Sequence, residues 1–166
     1  MLIYCDTNVY HRPFNDQTQP RIRREAAAFA TILEWVQQGD LDLLKSEILE
    51  FEIEQNQNTE LRFQVQAYLS LCKFDLRATE EQLILAQKLE ADCSFKGRDA
   101  LHIAAACLGR AAYWVSCDDR MTKHAECCAK VTREKGFEVI LTNPEKLVEL
   151  VQQKKERNKW QSELQR

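Results

Sequence analysis

The sequence predicts an α/β domain with a largely parallel central sheet. Three observations lead there. Four short apolar runs alternate with stretches of helical period along the 166 residues, which is the pattern of repeated strand–helix units. Two of those runs end in acids, as strands do where an α/β sheet gathers its ligands. The segments between them carry helix-start signals, such as Thr79 with Gln82 three residues on and Asn143 followed by Pro144.

The elements follow in order. Leu2–Tyr4 is a short apolar run that stops at Asp6, and Arg12-Pro13-Phe14 with the polar residues up to Pro20 reads as a loop. Apolar residues at Ile22, Ala26, Phe29, Leu33 and Val36 have helical spacing, closed by Gly39-Asp40. Leu41–Lys45 suits a second strand, after which Ser46 caps a helix carrying Ile48, Leu49, Phe51 and Ile53, with Ile48 and Phe51 expected to face the core. Leu61, Val65, Leu69 and Cys72 mark a further helix, and Leu83, Ala86 and Leu89 lie on the one opened by Thr79. Gly97 breaks the pattern before an alanine-rich helix from Asp99 to Leu108, ended by Gly109. Ala112–Cys117 and Phe137–Leu141 read as strands three and four, and the last helix shows its apolar face through Leu147, Val148 and Val151.

Residues 1–151 therefore form the expected domain, and 152–166 a polar C-terminal helical extension or tail. Hydrophobic residues make up 45% of the chain, enough for a globular core. No apolar run approaches ~18 residues, so no membrane span is expected. The start, MLIYCDTNVY, reads as a strand rather than a signal peptide. Seven cysteines at irregular spacing suggest reduced thiols and a cytoplasmic protein. Zinc is disfavoured, because Cys117, His124, Cys127 and Cys128 lack the usual paired ligand spacing. A net charge of -3 counts against a nucleic-acid binder, unless clustered carboxylates hold a cation that reverses the local field.

The carboxylates are arranged for that. Asp6 follows the first strand, Asp118 and Asp119 follow the third, and Asp99 opens a helix. Unpaired acids brought together raise one another's pKa. A hard divalent cation removes the conflict, and Mg²⁺ favours a few carboxylates plus waters. Singly, each acid also suits a cap or a turn. It is the joint pattern that points to metal-assisted phosphoryl chemistry.

The residues at these places resemble a known family. Leu2-Ile-Tyr-Cys-Asp6-Thr7-Asn8-Val9 is similar to the first-strand signature of PIN domains. Arg98-Asp99-Ala100-Leu101-His102-Ile103-Ala104 resembles their helix start, and Ser116-Cys117-Asp118 their later strand end. Ser46-Glu-Ile-Leu-Glu50-Phe-Glu52 resembles the segment that carries their helical Glu. The order and the length also match the VapC-like toxins of that superfamily. The resemblance implies a three-layer α/β/α PIN-like domain and Mg²⁺- or Mn²⁺-dependent cleavage of RNA. Asp6, Asp99 and Asp118 are the carried-over acids. It also implies the toxin of a type II toxin–antitoxin pair, with an antitoxin partner and a homodimer using helix 22–36 and the helix after Asp99. Spacing from Ser46 in the commoner family pattern makes Glu52 the preferred fourth acid, with Glu50 close behind; the two point about 200° apart on a helix, so both cannot face one ion. Thr7, Asn8 and Asp119 are supporting candidates. His102 is read first as a packed histidine and second as a substrate contact. Arg12 and Arg98 are candidate RNA-phosphate contacts, whereas the Arg21–Arg24 group suits a solvated helix face equally well. Two alternatives stay open: a haloacid-dehalogenase-like phosphatase, against which Asn8 stands where that family has a second Asp, and a catalytically inactive PIN module that binds RNA or protein.

Overall fold

The computed structural model describes residues 1–164; the last two residues of the expected C-terminal extension lie outside that range. Strand β1 (Leu2–Cys5) leads into helix α1 (Thr7–His11), a 3₁₀ turn at Arg12–Phe14 and helix α2 (Pro20–Gln38). Strand β2 (Asp42–Ser46) is followed by α3 (Glu47–Glu54) and α4 (Thr59–Leu69), and β3 (Phe74–Leu76) by α5 (Glu80–Cys93) and α6 (Gly97–Leu108). Then come β4 (Tyr113–Val115), α7 (Asp119–Thr122), α8 (Ala125–Glu134), β5 (Ile140–Thr142) and α9 (Pro144–Leu164).

The sheet has five strands in the order β3-β2-β1-β4-β5. Every neighbouring pair is parallel, and helices flank both faces in a three-layer α/β/α arrangement. Parallel strands covered on both sides read as unbroken apolar runs. Ile3, Tyr4 and Cys5 of β1 and Leu43 and Leu44 of β2 are accordingly buried. The chain steps outward from β1 through β2 to β3, then returns to the other side of β1. The carboxyl ends of β1 and β4 therefore flank the point where strand order reverses, the place where such sheets bind ligands.

Several elements differ from the sequence reading. β3 was not expected: Phe74 and Asp75 are exposed at the sheet edge, so the strand shows no alternation of apolar and polar residues. α7 and α8 were not expected either. Only Met121, Cys128, Val131 and Thr132 are buried on them, too few to announce a period. In α3 the core side chains are Leu49 and Ile53, whereas Phe51 is 49% exposed. The expectation of a core-facing Phe51 is thus corrected. Phe51 lies two residues, about 200°, from both Leu49 and Ile53, on the opposite face of the helix. On α2 the buried stripe includes Glu25 as well as Ala28, Phe29, Ile32, Trp35 and Val36.

The cysteines also depart from expectation. Cys93 and Cys127 form a disulfide, with Cα atoms 5.6 Å apart. Packing of α5 against α8 brings the two together, which a separation of 34 residues conceals. Cys5, Cys72, Cys107, Cys117 and Cys128 remain free thiols.

Two glycines have a definite structural task. Gly39 ends α2 at φ +82°, a left-handed cap that an L side chain resists. Gly109 sits where α6 meets β2, and a Cβ there would lie 2.1 Å from Leu44 Cδ2. The helix that carries Asp99 is held close to the sheet by that missing methyl group. Among the described residues no helix is long and apolar enough to cross a membrane. From Gln152 to Glu163 α9 is exposed.

Candidate functional site

Asp6 ends β1 and caps α1. Its extended backbone (ψ 156°) lets Oδ1 accept the Thr7 amide at 2.8 Å. Its Oδ2 accepts Asn8 Nδ2 at 2.6 Å and the Ser116 hydroxyl at 2.9 Å. Asn8 also donates to Ser116 Oγ and accepts the Cys117 amide through Oδ1, both at 2.9 Å. The Asp6 amide itself donates to the Val115 carbonyl at 2.8 Å. The ends of β1 and β4 are thus laced together across the switch point. Asn8, which stands where a phosphatase would need a second acid, spends its whole amide on this lacing.

Ser46 ends β2 and caps α3, accepting the Leu49 amide at 3.4 Å. Six residues on, Glu52 points back over the strand ends. Its Oε2 accepts the Thr7 hydroxyl at 2.5 Å and lies 3.0 Å from His102 Nε2. His102 Nε2 is also 4.0 Å from Asp6 Oδ1. One ligand atom from each of Asp6, Glu52 and His102 falls within 4.8 Å of the others. Glu50 turns away to Lys45.

The electrostatics of this cluster are unusual. Among the described residues, the Arg98 guanidinium is the only Lys or Arg within 4 Å of Glu52, at 3.9 Å, and Asp6 has none. Burial pushes the Asp6 carboxyl up, partly offset by His102 and the Ser116 hydrogen bond. Burial acts on Glu52 the same way, but hydrogen bonds from His102 and Thr7 outweigh it and hold Glu52 below its ordinary value.

The remaining acids behave differently. Asp99, in the first turn of α6, is half-buried, and burial raises its pKa, with Asp118 adding to the rise. It borders a small hollow of about 100 Å³ that also includes Lys96 and Arg120. Asp118 caps α7 by accepting the Arg120 amide at 2.9 Å. The Arg120 guanidinium also grips it, Nε at 3.0 Å from both oxygens and Nη2 at 2.5 Å from Oδ2, and that pairing holds its pKa down. Asp119 accepts two hydrogen bonds from Arg21, at 2.6 and 2.8 Å.

Sequence reasoning missed one group of residues entirely. Glu25 is 2% exposed and lies between Arg21 Nε (2.8 Å) and Arg12 Nε (2.7 Å). Arg21 further donates to the Cys117 carbonyl at 2.9 Å. Arg21 ties α2 to the β4–α7 turn, and Arg12 ties the 3₁₀ turn to α2. Arg12, a candidate phosphate contact, is turned to Glu25, whereas Arg98 is exposed beside the cluster. An open groove of about 480 Å³ runs past Asn8, Arg12, Arg21, Asp118 and Arg120. The one hint of this cluster in the sequence was Arg21, four residues before Glu25; Arg12 lies thirteen residues before it.

The fold is similar to that of a chain in the crystal structure of VapBC2 from Rickettsia felis bound to a DNA fragment from their promoter. The TM-score is 0.57 at 12% identity, over 86% of this chain and 98% of that one. The sequence matches no family model and no curated protein. At that identity the likeness is one of fold, a parallel-sheet α/β domain.

Proposed function

We propose that the chain is a divalent-cation-dependent endoribonuclease of the PIN-domain type. The carrying observation is the Asp6–Glu52 pair at the switch point: two acids joined by the Thr7 amide and hydroxyl, with no Lys or Arg nearer than 3.9 Å among the described residues. A hard cation such as Mg²⁺ or Mn²⁺ fits that donor set, because carboxylate oxygens and waters are its preferred ligands. Asp6 and Glu52 would hold it, with Asp99 and Asp118 at the rim. When bound, the cation would supply an acidified water and charge neutralisation for a phosphodiester. The chain's own residues supply the positioning. Asn8 and Ser116 fix both the Asp6 carboxylate and the strand end that bears it, and Thr7 fixes Glu52. Arg98, 67% exposed, is the cation available to a phosphate beside the cluster. Glu50 belongs to Lys45 in this reading and takes no part.

RNA as substrate rests on the resemblance of the four acid-bearing segments to PIN domains. The neighbouring fold comes from a VapBC2 complex, which supports an antitoxin-like protein partner for this chain and a role as the toxin of such a pair. A second copy of the chain and a cytoplasmic setting belong to the same reading. So does the division into a nuclease domain over residues 1–151 and a polar extension over 152–166. The test is direct. The purified protein cuts RNA with Mg²⁺ or Mn²⁺, stops in excess chelator, and stops when Asp6→Asn is introduced. Full activity in chelator, or in that variant, overturns the proposal.

A further inference from the structure

Five side chains form a continuous hydrogen-bonded line beneath the acids. Ser46 Oγ lies 2.7 Å from the Tyr4 hydroxyl, which lies 2.7 Å from His102 Nδ1. His102 Nε2 lies 3.0 Å from Glu52, which also accepts Thr7. Ser46, Tyr4 and His102 are each at most 1% exposed, so water cannot stand in for a missing partner. The line crosses from β2 through β1 to α6 and back to α3.

We infer that His102 is not a ligand of the proposed cation but the hydrogen-bond donor that orients Glu52, and that Tyr4 and Ser46 are positioning residues that keep a proton on His102 Nε2. This rests on the cation site proposed above.

The inference comes from counting donors and acceptors along the line. A glutamate carboxyl is ionised at neutral pH and can only accept, and Glu52 already accepts the Thr7 hydroxyl. Nε2 faces it at hydrogen-bonding distance and must therefore carry a proton, or two lone pairs would meet. The Tyr4 hydroxyl is fully buried and, as a phenol, holds its proton at neutral pH, so Tyr4 has one proton to give. In a neutral ring, Nδ1 accepts from Tyr4, and Tyr4 accepts from Ser46, whose oxygen still receives the Leu49 amide. In a protonated ring, Nδ1 donates to Tyr4 and Tyr4 donates to Ser46. Both arrangements satisfy every group, and both leave a proton on Nε2. The arrangement that fails is a bare Nε2 opposite an ionised Glu52, and a bare Nε2 is what metal ligation requires. Ring nitrogens are moreover poor partners for Mg²⁺ compared with carboxylates and waters. The His102 N–H is instead an outer support of the kind that fixes a ligating carboxylate.

The test uses nitrogen-15 NMR of the whole protein with labelled histidine, first without metal and then titrated with Mg²⁺. The expected result is a protonated Nε2 in both states. Conversion by Mg²⁺ to a ring protonated on Nδ1 alone overturns the inference. Tyr4→Phe is expected to keep the fold by circular dichroism and to weaken Mg²⁺ binding roughly tenfold; unchanged affinity overturns the role given to Tyr4. If Mg²⁺ does not bind the unmodified protein at all, the cation site itself fails. The metal-free spectrum then decides separately: a protonated Nε2 upholds the donor to Glu52, and a bare one overturns it.

Discussion

Strands β1 and β4 lie side by side, and each ends in an Asp that caps a short helix. The two ends are nevertheless opposites. Asp6 is 7% exposed and bonded to an amide, a hydroxyl and an Asn side chain, all neutral. Asp118 and Asp119 are each taken up by an arginine, Arg120 and Arg21. Position in the fold alone therefore does not fix what an acid is bonded to. What distinguishes the β1 end is an Asp6 carboxylate with no Lys or Arg within 4 Å among the described residues, held in place by an amide, a hydroxyl and an Asn side chain. The β4 end uses the same residue type to fasten a turn.

That contrast can be broken by substitution. The largest effect is expected at the β1 end. Asp6→Asn or Glu52→Gln should lower RNA cleavage by more than ~100-fold, since even outer supports of a metal ligand cost 10–100-fold; single-turnover cleavage assays measure this. Asp118→Asn should cost roughly tenfold, because Arg120 already neutralises that carboxylate. Equal losses at Asp6 and Asp118 would erase the distinction.

Arg12 sharpens the comparison from the other side. Its side chain is 18% exposed, and its partner Glu25 is 3% exposed. Arg12→Ala leaves a buried carboxylate with Arg21 as its remaining partner, a change expected to cost about 3 kcal/mol in denaturant unfolding. Cleavage per folded molecule should stay near the wild-type rate. A loss of RNA affinity without a loss of stability would restore Arg12 as a phosphate contact. Asp119→Asn, at an exposed pair, should change stability by less than about 1 kcal/mol.

The two ends should also respond oppositely to pH. Asp118 has a lowered pKa, so its contribution to stability is present above the ordinary carboxylate range and is lost as pH falls through the lowered value. The stability gap between wild type and Asp118→Asn should therefore close in acid. Asp6 has a raised pKa, so its contribution is present in acid and is lost as pH rises through the raised value. A cation needs the ionised form, so the rise in Tm caused by Mg²⁺ should grow as pH rises through that raised value, above the ordinary carboxylate range. A Mg²⁺ effect that is flat with pH would contradict a site built on Asp6.

Much of this was legible in the sequence because it is local. An apolar run ending in Asp6 marks β1, Ser46 announces α3, and Asp99 with Gly109 brackets α6. The parallel α/β fold followed from that alternation. What stayed hidden depends on partners far apart in the chain. Tyr4 and His102 are 98 residues apart, and Arg21 and Asp119 likewise. Glu25 looks like one more surface charge on α2 until two arginines are seen around it. The choice between Glu50 and Glu52 was open for the same reason. Helix geometry separates the two, but only the packing of β2, α1 and α6 around α3 decides which one meets Lys45 and which one meets Thr7 and His102.

The central claim is that charge left uncompensated at the β1 end binds a divalent cation while the arginine-paired acids of the β4 end anchor the turn. Calorimetric titration of Mg²⁺ into wild type, Asp6→Asn and Asp119→Asn tests it most directly. The account predicts one strong site in wild type, kept in Asp119→Asn and lost in Asp6→Asn. Binding that survives in Asp6→Asn, or disappears in Asp119→Asn with the fold intact, would contradict it.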